Sequence, residues 1–448
     1  MKLYLFLFPT LLLFKCPLFA QSGVTIELQD KIDSLSELIV SLETTELIQS
    51  MSQRSILTPK YYNDRKSLTA RQAYNFWIRN SASKFISHLN VYSALYDANK
   101  YYEYDSVENT FYNHIREHEE MVTSIVYGTE PNTFYSASSD GKILKWNEAE
   151  IGKEPTLLFK DRYLYRSIDL SSDGKWLLAL TKENGILIIS TENKKLNNSE
   201  VKFSRVSQDS ENAQAAIFLP NELNYLTVNK QGHIKIKGYQ LDSIKGQTQY
   251  EVRSLAVDVR KSEIYAGTIN GVVQVWNERF ENSYLDIPET FAVNVLAVSS
   301  DHKLLAIGRE KGDAIIWHLE EERIIRIISG HQSAITAIDF SPDNKRILTA
   351  SRDGTVRVWD VFDSKKFPIV LDDHDDWVMT ACFDQTGTKI LTGSKDKTIR
   401  IFNLDFEWMA DRLCKYVNRN MTPEEWQDYV GHNFQYEDTC PNLVKGNH

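Results

Sequence analysis

A pattern of three short strands joined by two tight turns recurs seven times in this chain of 448 residues. The repeat spacing is about 40 residues. No other feature restricts the fold as strongly. The clearest copy is 329–360, SGHQSAITAIDFSPDNKRILTASRDGTVRVWD. The alternating run AITAIDF leads to the turn SPDNK, RILTA leads to SRDG, and TVRVWD closes the unit. Copies cover 118–147 and 373–403, and four worn ones begin near Leu164, Asn212, Glu251 and Ala292. A three-strand meander leaves two faces uncovered, so each unit has to stack on its neighbours.

The Gly330-His331 opening and the Trp359-Asp360 close resemble the repeat of the WD40 family. The resemblance implies an all-β seven-bladed WD40 β-propeller over 106–405, flanked by N-terminal helices (21–105) and a small C-terminal helical tail (406–448). It also implies a buried hydrogen-bond chain in each well-kept copy, from a turn Asp through His and a hydroxyl to an indole N–H. That chain maps onto His118, Ser136, Asp140 and Trp146, and onto His331, Thr349, Asp353 and Trp359. The seventh copy has His374, Thr392 and Asp396, with Phe402 where the Trp belongs. His, Ser and Asp suggest a catalytic triad, but the set recurs in successive copies, whereas a nucleophile occurs once. The middle copies lack the set and are expected to be the softer part of the ring.

The resemblance further assigns a binding face at the top of the ring, formed by residues entering the inner strands and residues preceding the turn Asp. Here these are Met121, Leu164, Arg166, Arg253, Asn294, Arg352, Trp377, Met379 and Lys395. Arg and Trp are frequent anchors of binding sites, so an acidic or aromatic peptide segment is the expected occupant.

Outside the repeats, residues 1–20 read as a secretory signal peptide, with a Lys, an apolar run and cleavage after Ala20. Lys15 and Pro17 make the run short for a membrane span. Cys16 suggests a lipoprotein, but Phe14 and Lys15 stand where a lipobox has small residues. Lys2 and Lys15 are the charges in this leader, so the remaining chain, with 49 basic and 61 acidic residues, carries −12. An acidic body argues against nucleic acid as a main partner. Three cysteines follow the leader. Cys382 lies in a strand and reads as a core thiol. Cys414 and Cys440 are either a disulfide or two free thiols.

Residues 25–50 read as a helix with Leu28, Ile32, Leu35, Ile39 and Leu42 at heptad spacing. It is expected either to lie on its own propeller or to oligomerise the chain. Residues 66–101 read as two helices with a break near Asn80, and 110–116 as a strand completing the last blade. In the tail, Thr422, Pro423 and Glu425 form a helix start. The tail and the LTARQAYNFW and YSALYDANK stretches resemble the segments around WD40 propellers of bacterial proteins fused to NTPase signalling domains. This chain has no G-x-x-x-x-G-K-[ST], and the signalling role is not carried over.

No HExxH, Cys/His cluster or G-x-S-x-G appears, so neither a metal nor a cofactor is expected. Asp169 and Asp339 recur at one inner-strand position, but Val126, Ala297 and Cys382 break the ring. The expectation is a non-enzymatic adaptor exported to the periplasm or outer membrane of a bacterial envelope, in a secretion, motility or surface-assembly complex, contacting other envelope proteins. The alternatives are a propeller enzyme or small-ligand binder using the channel, or an oligomeric periplasmic sensor.

Overall fold

The computed structural model describes residues 23–80, 88–100, 114–183, 185–191, 213–219, 224–238, 241–277, 279 and 281–443. The signal peptide with Cys16 and most of the expected closing strand lie outside these residues. The chain divides into two compact units, Asn99–Arg412 and the pair Met1–Ala98 with Leu413–His448.

The first unit is a ring of seven antiparallel sheets in sequence order, a seven-bladed propeller. Blades one, three, four, five and six have four strands each. Blades two (165–190) and seven (378–403) show three among the described residues. Strand alternation explains the build. In blade six the central strand Arg346–Ser351 is buried almost throughout, whereas the inner strand Ile335–Phe340 alternates. A central strand covered on both faces reads as a continuous apolar run.

Blades bury their faces against one another. Leu304, Ala306 and Ile316 of blade five pack with Ile335, Ile338 and Trp359 of blade six. Gly267, Gly308 and Gly393 hold one position of the central strand. A Cβ there would come within 2.4, 2.7 and 2.6 Å of Val293, Ile335 and Val122 on the next blade. These contacts require glycine, since nearest-blade side chains occupy the space.

The ring closes between blades seven and one. Ile125, Phe134 and Trp146 pack with Leu391 and Ile399. Ile115 and Ile399 exchange backbone N–H···O bonds of 2.8 and 2.9 Å, which places the chain ahead of blade one on the edge of blade seven. Glu148 of blade one accepts from Tyr127 at 2.7 Å and from Lys389 of blade seven at 2.5 Å.

The helices are α1 (Gly23–Leu57), α2 (Asn63–Arg79), α3 (His88–Lys100), α4 (Phe406–Tyr416) and α5 (Pro423–Tyr429). α2 ends on Asn80, the expected break. In α5 the Thr422 hydroxyl accepts the Glu425 N–H at 3.1 Å, and the Glu425 carboxylate accepts the Thr422 N–H at 3.0 Å, a capping box. The two chain ends, which the sequence reading kept as separate regions, build one unit. Phe76 of α2 packs on Trp426 and Phe434. Arg65 of α2 and Arg419 share the Glu425 carboxylate at 2.6 to 3.0 Å. Cys414 and Cys440 are joined in a disulfide. Asn420 fixes the same loop, accepting from Cys440 N–H at 2.7 Å and donating to the Cys440 and Leu443 carbonyls.

The described part of the α1 stripe is open rather than covered. Leu35, Leu38, Ile39 and Leu42 are each 40 to 57% exposed. Among the described side chains of α1, the buried ones are Thr44, Thr45, Ile48, Met51, Ser52 and Ser55.

Candidate functional site

Each of the seven inner strands carries one extra residue near its start, where the pairing with the central strand slips. The slips fall between Val122 and Ser124, Tyr165 and Ser167, Ala213 and Ala215, Val252 and Ser254, Val293 and Val295, Ile335 and Ala337, and Val378 and Thr380. A bulge leaves its residue out of the ladder and re-aims the side chain. The seven bulged residues are Thr123, Arg166, Gln214, Arg253, Asn294, Thr336 and Met379, and all line one central channel of about 880 Å³. Sequence reasoning found Arg166, Arg253, Asn294 and Met379. It missed Thr123, Gln214 and Thr336, which share the position but not the chemistry.

Most of this ring reaches in one direction, from a blade to the next in sequence. Arg166 donates to the Gln214 carbonyl (3.3 Å), and Arg253 to Asn294 Oδ1 (2.6 Å). Asn294 donates to the Ile335 carbonyl (3.2 Å), and Thr336 to the Val378 carbonyl (2.5 Å). Deeper in the channel, the hydroxyls of Ser124, Ser254 and Thr380 accept the N–H of Ile168, Leu296 and Ile125. Thr123 instead donates within its own blade, to the Ala137 carbonyl at 3.2 Å, and Gln214 Oε1 is buried with no hydrogen-bond partner among the described residues.

The residue preceding each turn Asp forms the rim. Arg352 and Lys395 hold this position in blades six and seven, and Glu310 holds it in blade five. Glu310 was missed, although its place in the repeat identifies it. It accepts from Arg253 (3.1 Å), Asn294 (2.8 Å) and Arg352 (3.2 Å). Burial raises the Glu310 carboxyl, but Asn294 and the charges of Arg352 and Arg253 outweigh it, and the group sits below the usual carboxylate range. Lys395 likewise pairs with Asp376 at 3.2 Å. The top-face cations Arg253, Arg352 and Lys395 are therefore charge-paired on the rim, by Glu310 and Asp376. Trp377 stands on it 42% exposed. The Arg352 guanidinium lies 5.3 Å and the Lys395 ammonium 4.4 Å from its ring centre, within cation–π range. Met121 and Leu164 occupy the corresponding place in blades one and two. Their carbonyls accept the Ser139 and Lys182 N–H groups, and neither lines the channel.

Among the described residues, three buried His-Asp chains lie in the blade walls. His331 Nδ1 is 2.9 Å from Asp353, its Nε2 is 2.8 Å from Thr349 Oγ1, and Trp359 Nε1–H donates to the same hydroxyl at 2.9 Å. A carboxylate only accepts, so Nδ1 carries the proton and the Thr349 hydroxyl donates to Nε2. Thr349 is 1% exposed, so its hydroxyl links the strands of the blade wall rather than facing solvent. His118, Asp140, Ser136 and Trp146 repeat the geometry at 2.8 to 3.0 Å. In blade seven, His374 reaches Asp396 (2.7 Å) and Thr392 (2.6 Å), and the Phe402 ring meets the His374 edge 6.4 Å away. Burial alone would raise the Asp140 carboxyl, but His118 and the N–H groups of Glu119 and Lys142 bring it down to about 2.

Asp169 and Asp339 tie neighbouring blades inside the channel. They accept the N–H of Phe218 (2.7 Å) and Phe383 (2.8 Å) on the following blades. Burial pushes their carboxyls up to about 6 and about 7, against the pull of those backbone donors. A folded-state value above the ordinary 3.8 favours folding at low pH, and that contribution is lost as pH rises through the folded value. Asp339→Asn is therefore expected to raise the melting temperature at pH 8 and to give no gain at pH 4. An equal gain at both would refute this assignment.

Comparison with known proteins agrees with this geometry. Residues 109–147, 322–360 and 365–403 match the family described as WD domain, G-beta repeat. The chain resembles "Protein LST8 homolog" of Drosophila melanogaster, 33% identical over 124 residues, covering 26% of this chain and 40% of that protein. It also resembles "Periodic tryptophan protein 2" of Arabidopsis thaliana, 36% identical over 91 residues, covering 20% of this chain and 10% of that protein. The match thus spans less than half of either relative, and both are eukaryotic. Among solved structures, the WD40 β-propeller domain of Doa1 superposes with a TM-score of 0.56 at 17% identity, covering 65% of this chain and 95% of that one. That likeness concerns the fold alone.

Proposed function

We propose that this seven-bladed propeller of WD40 repeats is a non-enzymatic adaptor that binds a protein segment on its channel rim. The observation that carries the reading is Trp377, a large aromatic held exposed between two cations at the mouth of a polar channel. Buried aromatics and arginines dominate binding energy once a partner covers them. The charge-paired rim narrows the expected ligand. An acidic side chain has to displace Glu310 or Asp376 to reach Arg352 or Lys395, so an aromatic anchor with one flanking acid fits better than a run of acids.

A panel of aromatic-acidic peptides binding the intact protein tests this. Trp377→Ala and Arg352→Ala are expected to weaken the best peptide by about thirtyfold each, which corresponds to about 2 kcal/mol. Unchanged binding by both variants would sink the reading.

The setting proposed is an oxidising, exported one, supported by the Cys414–Cys440 bond and the leader-like sequence of residues 1–20. A bacterial envelope complex gains no support from the relatives, which are eukaryotic, so the proposal stops at export. A second reading, a small polar ligand in the channel, is favoured by the unpartnered Gln214 Oε1.

A further inference from the structure

We infer that the N-terminal half of α1 pairs with the same segment of a second copy of this chain, as a short parallel two-stranded coiled coil. The argument begins with the direction of the apolar faces along one continuous helix. An α-helix turns about 100° per residue. Leu35, Leu38, Ile39 and Leu42 therefore form one stripe, all exposed. Thr44, Thr45, Ile48, Met51, Ser52 and Ser55 form the buried face of the C-terminal half. The mean directions of the two faces differ by about 130°. The open stripe is thus not an overrun of the face that the chain already covers, but a second face directed elsewhere.

The choice of partner follows from residue types and charge placement. With Leu28, Leu35 and Leu42 at d, Ile32 and Ile39 fall at a, the Ile-at-a, Leu-at-d arrangement that favours parallel dimers. The acids Glu27, Asp30, Asp33 and Glu37 fall at b, c and f, heptad positions outside a two-stranded seam. Across a parallel seam, g faces the following e of the partner. That sets Lys31 opposite Ser36 and Leu38 opposite Glu43, so no like charges meet. Leu38 at g widens the seam further. The apolar seam stops at position 46, a Glu, just past the start of the buried face at Thr44. Two heptads are short, so the association is expected to be concentration-dependent.

Light scattering of the purified protein from about 1 to 100 µM is the first test. Mass should rise towards twice the chain mass. Leu35→Glu with Ile39→Glu should keep the melting temperature, since neither side chain enters a core, and should weaken self-association at least 100-fold. The register is read separately by mild oxidation. Ile39→Cys, at a, should crosslink two chains, and Val40→Cys, at b, should not. A monomer throughout the range would overturn the proposal. So would association that survives the double Glu variant, or crosslinking through Val40→Cys alone. Binding of a basic amphipathic helix by a strictly monomeric chain would also overturn it, and would assign the stripe to a different partner.

Discussion

Arg309→Ala is expected to cost about 3–5 kcal/mol, enough to unfold blade five well before its neighbours. Arg309 is 2% exposed, more enclosed than any other Arg or Lys among the described propeller residues. Its Nε and Nη2 meet both oxygens of Asp313 at 2.7 and 2.5 Å. Its Nη1 donates to the carbonyls of Pro288 and Glu289, and its guanidinium faces the Phe291 ring. Blade five has no His-Asp chain, and this fork does the same job, tying the loop that enters the blade to the turn between its second and third strands. Truncating Arg309 leaves the Asp313 carboxylate buried without a counter-charge. Replacing both partners with apolar residues of similar volume removes that penalty, so Arg309→Met with Asp313→Leu should recover most of the loss. Denaturant unfolding followed by hydrogen exchange in residues 304–318 is the measurement. A single variant as stable as the parent would show that the pair contributes little. Failure of the double variant to recover would place the cost in the lost carbonyl contacts instead.

Reducing the Cys414–Cys440 bond, or replacing both with Ser, should destabilise the terminal unit by about 3–4 kcal/mol, from the entropy of closing a loop of this length. The sequence separation is 26. Amide protection in α2 and α5 should fall together, because Asn75 donates to the Thr439 carbonyl, and Phe76 packs on Trp426. Unchanged protection in reducing buffer would show that the Asn420 and Glu425 contacts suffice.

The fold was legible because its evidence is periodic. Seven turns and seven alternating runs cannot be hidden by the wear of single residues such as Phe402. The hydrogen-bond chains were legible for the same reason. The channel ring was half legible. A bulge is a property of backbone register, and Thr123, Gln214 and Thr336 share no side-chain chemistry that would mark them beside Arg166 and Arg253. Glu310 is a different omission. Its place in the repeat was visible, but the basic residues at that place in blades six and seven drew attention to one sign of charge. The union of the two chain ends had no local signal, because Arg65 and Gln72 meet Glu425 and Glu437 more than 350 positions away.

The bond between Ile115 and Ile399 spans nearly the whole propeller sequence. Contacts of such separation make folding slow, since the loop must close before the contact contributes. Until blade seven has left the ribosome, blade one has an uncovered face and Ile115 has no partner strand. The order of synthesis therefore keeps the ring open until blade seven emerges.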